Sequence, residues 1–163
     1  MALVLRDATP ADVPLVHRFV RALAEYERLL HEVEATEDDF RRLLFGDPPR
    51  AWALVAEWGD EPVGFALWYY SVSTFLGRAS LYVEDVFVEP AHRNRGIGRL
   101  IFAELARRAV AEGCGRMEWS VLDWNAPSIA FYRSIGARPR EGWTLQQLTG
   151  PALAALAATR TGA

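Results

Sequence analysis

Arg93-Asn94-Arg95-Gly96-Ile97-Gly98 stands between a β-rich run, Leu81 to Val88, and an amphipathic helical pattern that begins at Gly96. Glycines at 96 and 98 let the backbone come close to a ligand. The first N–H groups of the following helix have no partner inside it, and the helix dipole adds partial positive charge there. A strand–loop–helix junction of this kind suits a pyrophosphate, and Arg93, Arg95 and Arg99 supply cations that match phosphate oxygens. A bare Gly-x-Gly is also an ordinary tight turn with a solvated basic rim, so the flanking segments decide. A dinucleotide-binding fold would want a third glycine, an acidic residue about 20 positions on and an opening strand. Here there are two glycines and the strand is not the first.

Pro90 closes the preceding strand because proline donates no ladder hydrogen bond and restricts the residue before it. Downstream, Ile97, Leu100, Ile101, Leu105 and Ala109 recur at helical spacing as far as Ala111, and Gly113 stands at the natural C′ position. Met117 to Leu122 reads as a strand, Pro127 to Ser134 as a short helix ending near Gly136, and Trp143 to Leu148 as a final strand. Upstream, Trp52 to Trp58 and Val63 to Ser73 flank a turn at Gly59-Asp60-Glu61-Pro62 and predict a hairpin. Leu3 to Arg6 predicts a strand. Thr9-Pro10-Ala11-Asp12 then combines an N-cap, a proline at the first helical position and an acid at N3. The stripe Leu15, Phe19, Leu23, Tyr26 and Leu30 predicts a first helix reaching about Leu30, and Thr36 with Asp39 predicts a second over Glu37 to Leu44. Strand–helix–strand implies a parallel pair and the hairpin implies antiparallel neighbours. The expected fold class is α/β, a mixed and mostly antiparallel sheet flanked by helices.

The 163 residues are 51% apolar and 24% charged with a net charge of −3, which predicts one domain over residues 1–163, with 151–163 as a terminal helix or a loose tail. Cys114 is alone, and His17, His31 and His92 are scattered, so neither a disulfide framework nor a zinc module is expected and no metal is called for. No apolar run approaches the ~20 residues that cross a bilayer and no leader pattern opens the chain, which predicts a cytoplasmic protein with no membrane partner. A pI near 5.6 argues against nucleic acid, which needs a basic face, and tolerates a cationic small molecule. All 18 basic residues are arginine, a composition that carries no reading about partners.

At Arg93, Gly96 and Gly98 the chain resembles the GCN5-related N-acetyltransferase (GNAT) superfamily, whose acetyl-CoA signature is Gln/Arg-x-x-Gly-x-Gly/Ala. A closer resemblance, over about Leu5 to Leu148, is to the diamine (spermidine/spermine) and thialysine N-acetyltransferases. It is carried by Leu23 to Glu27, Leu81 to Val88, the Arg93 to Gly98 loop, Trp124-Asn125-Ala126-Pro127-Ser128-Ile129-Ala130-Phe131-Tyr132, and Glu141-Gly142-Trp143. Asn94 departs from the family's usual glycine, a tolerable change because Asn accepts unusual backbone angles. The stretch before Glu141 is shorter than usual. The resemblance implies a GNAT-type sheet with a central parallel strand pair, a homodimer, acetyl-CoA as cosubstrate and a small-molecule amine as acceptor.

Transfer to an amine needs a neutral nitrogen, a positioned thioester, stabilisation of negative charge on oxygen and a proton for the thiolate. A lysine-like amine of pKa ~10.4 is mostly protonated at neutral pH, so a base is required. Glu84, in an apolar stretch beside the expected cofactor cleft, is the candidate; burial there would raise its pKa, and Asp85 shares the role or binds the substrate cation. A strand carboxylate facing water is the plain alternative. The resemblance makes Tyr132 the proton donor to the leaving thiolate, whereas simple packing of Phe131 and Tyr132 is the other account. It also assigns the cofactor to Val86, Phe87, Val88, Arg93, Asn94, Arg95, Gly96, Ile97, Gly98, Arg99, Asn125, Ala126, Pro127 and Ser128. The acceptor falls to Tyr26, Glu27, Glu84, Asp85, Glu118, Trp119, Ser120 and Glu141. Two rival functions stay open: a GNAT enzyme for a peptide, protein or aminoglycoside amine, and a non-catalytic acyl-CoA sensor.

Overall fold

The computed structural model describes residues 2–159. The chain divides into a first compact unit ending at Ala126 and a second starting at Pro127. The first holds five strands in the order β1 (Leu3–Asp7), β2 (Trp52–Trp58), β3 (Glu61–Ser73), β4 (Arg78–Val88) and β5 (Arg116–Glu118). The first four pair antiparallel; β4 and β5 pair parallel, connected through α3 (Ile97–Ala111). The mixed, mostly antiparallel sheet expected from the alternation is thus present.

The Thr9 signature works as read, with the Asp12 carboxylate accepting from Thr9 N–H at 2.7 Å. Arg6 adds an ion pair at 2.8 Å, and together these contacts hold the Asp12 carboxyl down at about 2. Pro10–Asp12 forms a 3₁₀ turn that leads into α1 (Val13–Tyr26). The helix stops four residues short of Leu30 because Arg28 turns into the left-handed region at φ 63°, and Leu29 N–H bonds back to the Ala24 carbonyl at 2.8 Å. A reversal made by arginine leaves no glycine to read. α2 (Glu37–Phe45) starts on the Thr36–Asp39 capping box.

Helices α1 and α2 cover one face of the sheet. Phe19 stacks on Phe65 at 5.5 Å and tilts against Phe87 at 5.8 Å, with Val13, Val16, Phe40, Leu44 and Leu67 closing the cluster. Strand alternation turns Leu54, Ala66 and Trp68 to the opposite face. There Arg108 of α3 lies over the Trp68 ring, and Ile97, Ile101 and Leu105 are buried.

One irregularity shapes β4. Leu67 opposes Asp85 and Trp68 opposes Val83, which leaves Glu84 as the extra residue of a β-bulge. Bulges sharpen strand twist. The parallel pairing covers only Ser80–Tyr82 against Arg116–Glu118, so the strand expected over Met117 to Leu122 is cut short at Glu118, and β4 runs on without β5 beside it.

In the second unit, α4 (Ala126–Ser134, whose first residue closes the first unit) matches the helix expected over Pro127 to Ser134 with one residue more at its start, and α5 is Gly150–Ala157 with Pro151 in its first turn. The tail is therefore helical as far as Ala157; its last residues lie outside those described. The strand expected over Trp143 to Leu148 does not form, and Trp143 and Leu145 are 69% and 91% exposed. Apolar alternation is only half of a strand, and no neighbouring strand among the described residues takes up its main-chain groups.

Candidate active site

Gly96 is the N-cap of α3, left-handed at φ 78°, and carries no capping side chain. The first helical hydrogen bond is Leu100 N–H to the Gly96 carbonyl at 3.1 Å, so the amides of Ile97, Gly98 and Arg99 precede the helical ladder. A Cβ placed on Gly96 meets no atom within 4 Å, so the space above the turn is open. Asn94 takes the left-handed conformation at φ 62°, as its position in the signature requires. Arg95 lies over the Trp58 ring at 5.7 Å, and Arg99 is exposed. The positive end of a 15-residue helix, with cations on the rim, fits a diphosphate.

Arg93 is placed differently from the phosphate-facing side chain foreseen for it. Its Nε donates to the Val88 carbonyl at 2.9 Å, and the guanidinium stacks over Tyr26 at 4.8 Å and Phe87 at 5.6 Å. The Val88 carbonyl needs such a partner. Glu89 N–H bonds to Val63 on β3, so by alternation the main-chain groups of Val88 and Val86 point away from β3, to the side where β5 has ended. Val86 has no strand partner on that side. Phe87 turns its main chain to β3 and its ring into the core.

Carboxylates gather beside this open edge. Asp85 is pushed up to about 7, first by burial and then by the charges of Glu84 and Glu27. Burial also raises Glu27, the residue that caps the end of α1. Glu84 itself is exposed, against the burial foreseen for it: the bulge passes the more sheltered position on to Asp85, which is half-buried. Tyr69 is raised by burial and then by Glu84, Tyr82 and Glu118. Tyr69 and Tyr82 oppose each other with rings 5.0 Å apart, and the Tyr82 hydroxyl lies 2.8 Å from Ser120 Oγ. Glu118 lies 2.8 Å from Arg116 Nε in an ion pair without hydrogen-bond alignment. The sheet edge thus brings together Glu27, Glu84, Asp85, Glu118 and Ser120. Trp119 instead packs edge-on against Phe102 of α3 at 4.9 Å.

A second wall rises at the end of α1. The Tyr26 hydroxyl donates to Asn125 Oδ1 at 3.3 Å, and its ring meets Trp124 at 6.1 Å. Asn125 is 5% exposed and directly precedes Ala126, the first residue of α4. In the second unit, Tyr132 on α4 is half-buried with its ring 5.6 Å from Phe131, Ser128 is half-buried, and Pro127 and Glu141 are exposed.

Residues 16–137 match the model of the Acetyltransferase (GNAT) family. The chain belongs to the GNAT acetyltransferases. Among its relatives, a thialysine N-epsilon-acetyltransferase of Bos taurus is 36% identical over 165 residues, covering 94% of this chain and 96% of that one. An L-ornithine N5-acetyltransferase of Arabidopsis thaliana is 32% identical over 197 residues, covering 93% and 86%. The fold is also that of an integron cassette protein from the mobile metagenome of V. cholerae, with a TM-score of 0.80, 24% identity and coverage of 98% and 99%. This GNAT chain is an amine N-acetyltransferase, and enzymes of its family draw the acyl group from acetyl-CoA.

Sequence reading passed over three residues of this acetyltransferase. Tyr69 and Tyr82 line the acidic edge, yet each reads as an ordinary strand aromatic until the bulge fixes which residues share their face. Arg28 marks the end of α1, and nothing in its neighbours announced a left-handed turn. Among the described residues no group of histidine, cysteine and carboxylates could hold a metal ion, and no helix is long and apolar enough to cross a membrane.

Proposed function

We propose that this acetyltransferase moves the acetyl group of acetyl-CoA directly to a primary amine of a polyamine or a lysine-like small molecule. The observation that carries the reading is the group Glu27, Glu84 and Asp85 beside the unpaired stretch of β4, an anionic surface suited to a cationic amine. Thialysine and ornithine, named for the two relatives above, both carry a terminal amine. Acetyl-CoA supplies the activated thioester. The α3 turn at Arg93 to Arg99 receives its diphosphate, with Asn125, Ala126, Pro127 and Ser128 bordering the thiol arm.

Glu84, with Asp85 at its side, takes the proton from the ammonium or from the attacking amine, directly or through water. A carboxyl poised at about 7 is suited to such work near neutral pH. The nitrogen forms its bond to the acyl carbon, the carbon–sulfur bond breaks, and the Tyr132 hydroxyl returns a proton to the thiolate. Main-chain N–H groups at Val86 and Val88 stabilise the negative oxygen in between. Tyr26, Glu118, Trp119, Ser120 and Glu141 complete the acceptor side. A cytoplasmic homodimer in which residues 1–163 serve as one transferase domain belongs to the same proposal; the family match crosses from the first unit into the second, and the single free thiol suits a reducing compartment.

A thiol-release assay with a panel of diamines, polyamines and basic amino acids tests the reading. Turnover on these and none on peptide amines or aminoglycosides is expected, and tight acetyl-CoA binding without turnover on any amine would point instead to a sensor. Tyr132→Phe should lower kcat by roughly 10²-fold with little change in acetyl-CoA affinity. An undiminished kcat would remove Tyr132 from the proton path.

A further inference from the structure

We infer that Arg28 is a specificity-determining residue whose guanidinium receives the α-carboxylate of an amino-acid acceptor, while the Glu27, Glu84 and Asp85 group receives its terminal amine. The inference rests on the acceptor reading above and sharpens it from amines in general to zwitterionic ω-amino acids.

Glu27 and Arg28 are consecutive, so their Cα atoms are about 3.8 Å apart. They serve opposite ends of one wall. Glu27 is half-buried and its charge is felt at Asp85. Arg28, turned away by its left-handed backbone, is exposed, and its guanidinium lies 5.0 Å over the Trp124 ring. Trp124 in turn touches Tyr26, the residue before Glu27. The wall therefore carries negative charge at Glu27 and two cations, Arg93, which is held by the Val88 carbonyl, and the exposed Arg28 at its rim.

Arg28 has spare capacity. Arg6, Arg42, Arg107, Arg108 and Arg116 are each within ion-pair distance of a carboxylate, whereas no carboxylate among the described residues pairs with Arg28. A guanidinium lying over an indole ring makes a cation–π contact that uses none of its N–H donors, which leaves them for the two oxygens of a carboxylate. A polyamine gains nothing there and brings a second ammonium toward a fixed like charge, so the same residue disfavours it.

L-Lysine and cadaverine form a matched pair, since they offer the same terminal amine with and without the carboxylate. The measured quantity is the ratio of kcat/KM for lysine to that for cadaverine. Arg28→Gln should lower the ratio by about tenfold, chiefly through the KM for lysine. Arg28→Lys should restore part of it, and Arg28→Glu should lower it further. Parallel losses on both amines, leaving the ratio unchanged, would overturn the inference while the acetyltransferase reading stands. Failure of the unaltered enzyme to acetylate any amine would overturn the acceptor reading itself, and this inference with it.

Discussion

Asp85 is a carboxyl whose acidity the fold weakens, and this has a consequence for stability. Its folded-state pKa of about 7 exceeds the unfolded value near 3.9, so the native state holds the proton more tightly between those limits. Its contribution is thus fully present below about pH 4 and is lost as pH rises through 7. Asp85→Asn, which mimics the protonated form, should therefore raise the Tm relative to the unaltered protein by about 5 °C near pH ~8, and the gap should shrink to roughly a third of that near pH ~5. Thermal unfolding at the two pH values checks this; a constant gap would mean that the carboxyl is ionised throughout. The same substitution reports on chemistry, since loss of a base or of a cation site should depress turnover at neutral pH. The sequence puts Glu84 and Asp85 side by side without showing which is the more sheltered. That choice belongs to the bulge, which depends on the register between β3 and β4 and leaves no local signature.

At the scale of elements, helix α3 couples a local signal to a ligand. Its start was legible because two glycines after a strand have few structural uses, and the left-handed Gly96 uses one of them. Since a Cβ there meets no chain atom, a side chain at 96 conflicts with the ligand more than with the fold. Gly96→Asp should weaken acetyl-CoA binding by tenfold or more through bulk and charge, and Gly96→Ala by less, the left-handed backbone costing about 1–2 kcal/mol in stability. Titration calorimetry with the cofactor measures both, and equal affinity in the Asp variant would move the diphosphate elsewhere. The capping residues Thr9, Asp12, Thr36 and Asp39 were equally legible, because each works within a few residues of itself. Arg93 was not. Its ring partners Tyr26 and Phe87 come from α1 and β4, and no spacing announces a contact made across the fold.

For the molecule as a whole, the alternation of apolar residues told which segments pair but not where pairing stops. The hairpin β2–β3 could be read almost to the residue, whereas Trp143 to Leu148 had the pattern of a strand without a neighbour. What ties α1 to the sheet is the aromatic triad Phe19, Phe65 and Phe87. Phe65 is fully buried in the middle of it, so Phe65→Ala should cost about 3–5 kcal/mol of unfolding free energy. Urea denaturation followed by circular dichroism gives that figure, and a loss below about 1 kcal/mol would show that the triad is dispensable. The single extra residue at Glu84 also constrains how this chain can change through descent. Removing it would leave Leu67 opposite Asp85 and Trp68 opposite Val83 in an unbroken ladder, so each flank would keep its surfaces while the local kink was lost. A one-codon deletion at this position is therefore far gentler than the same deletion elsewhere along β4, where the neighbouring residues would slip by one pleat and trade surfaces.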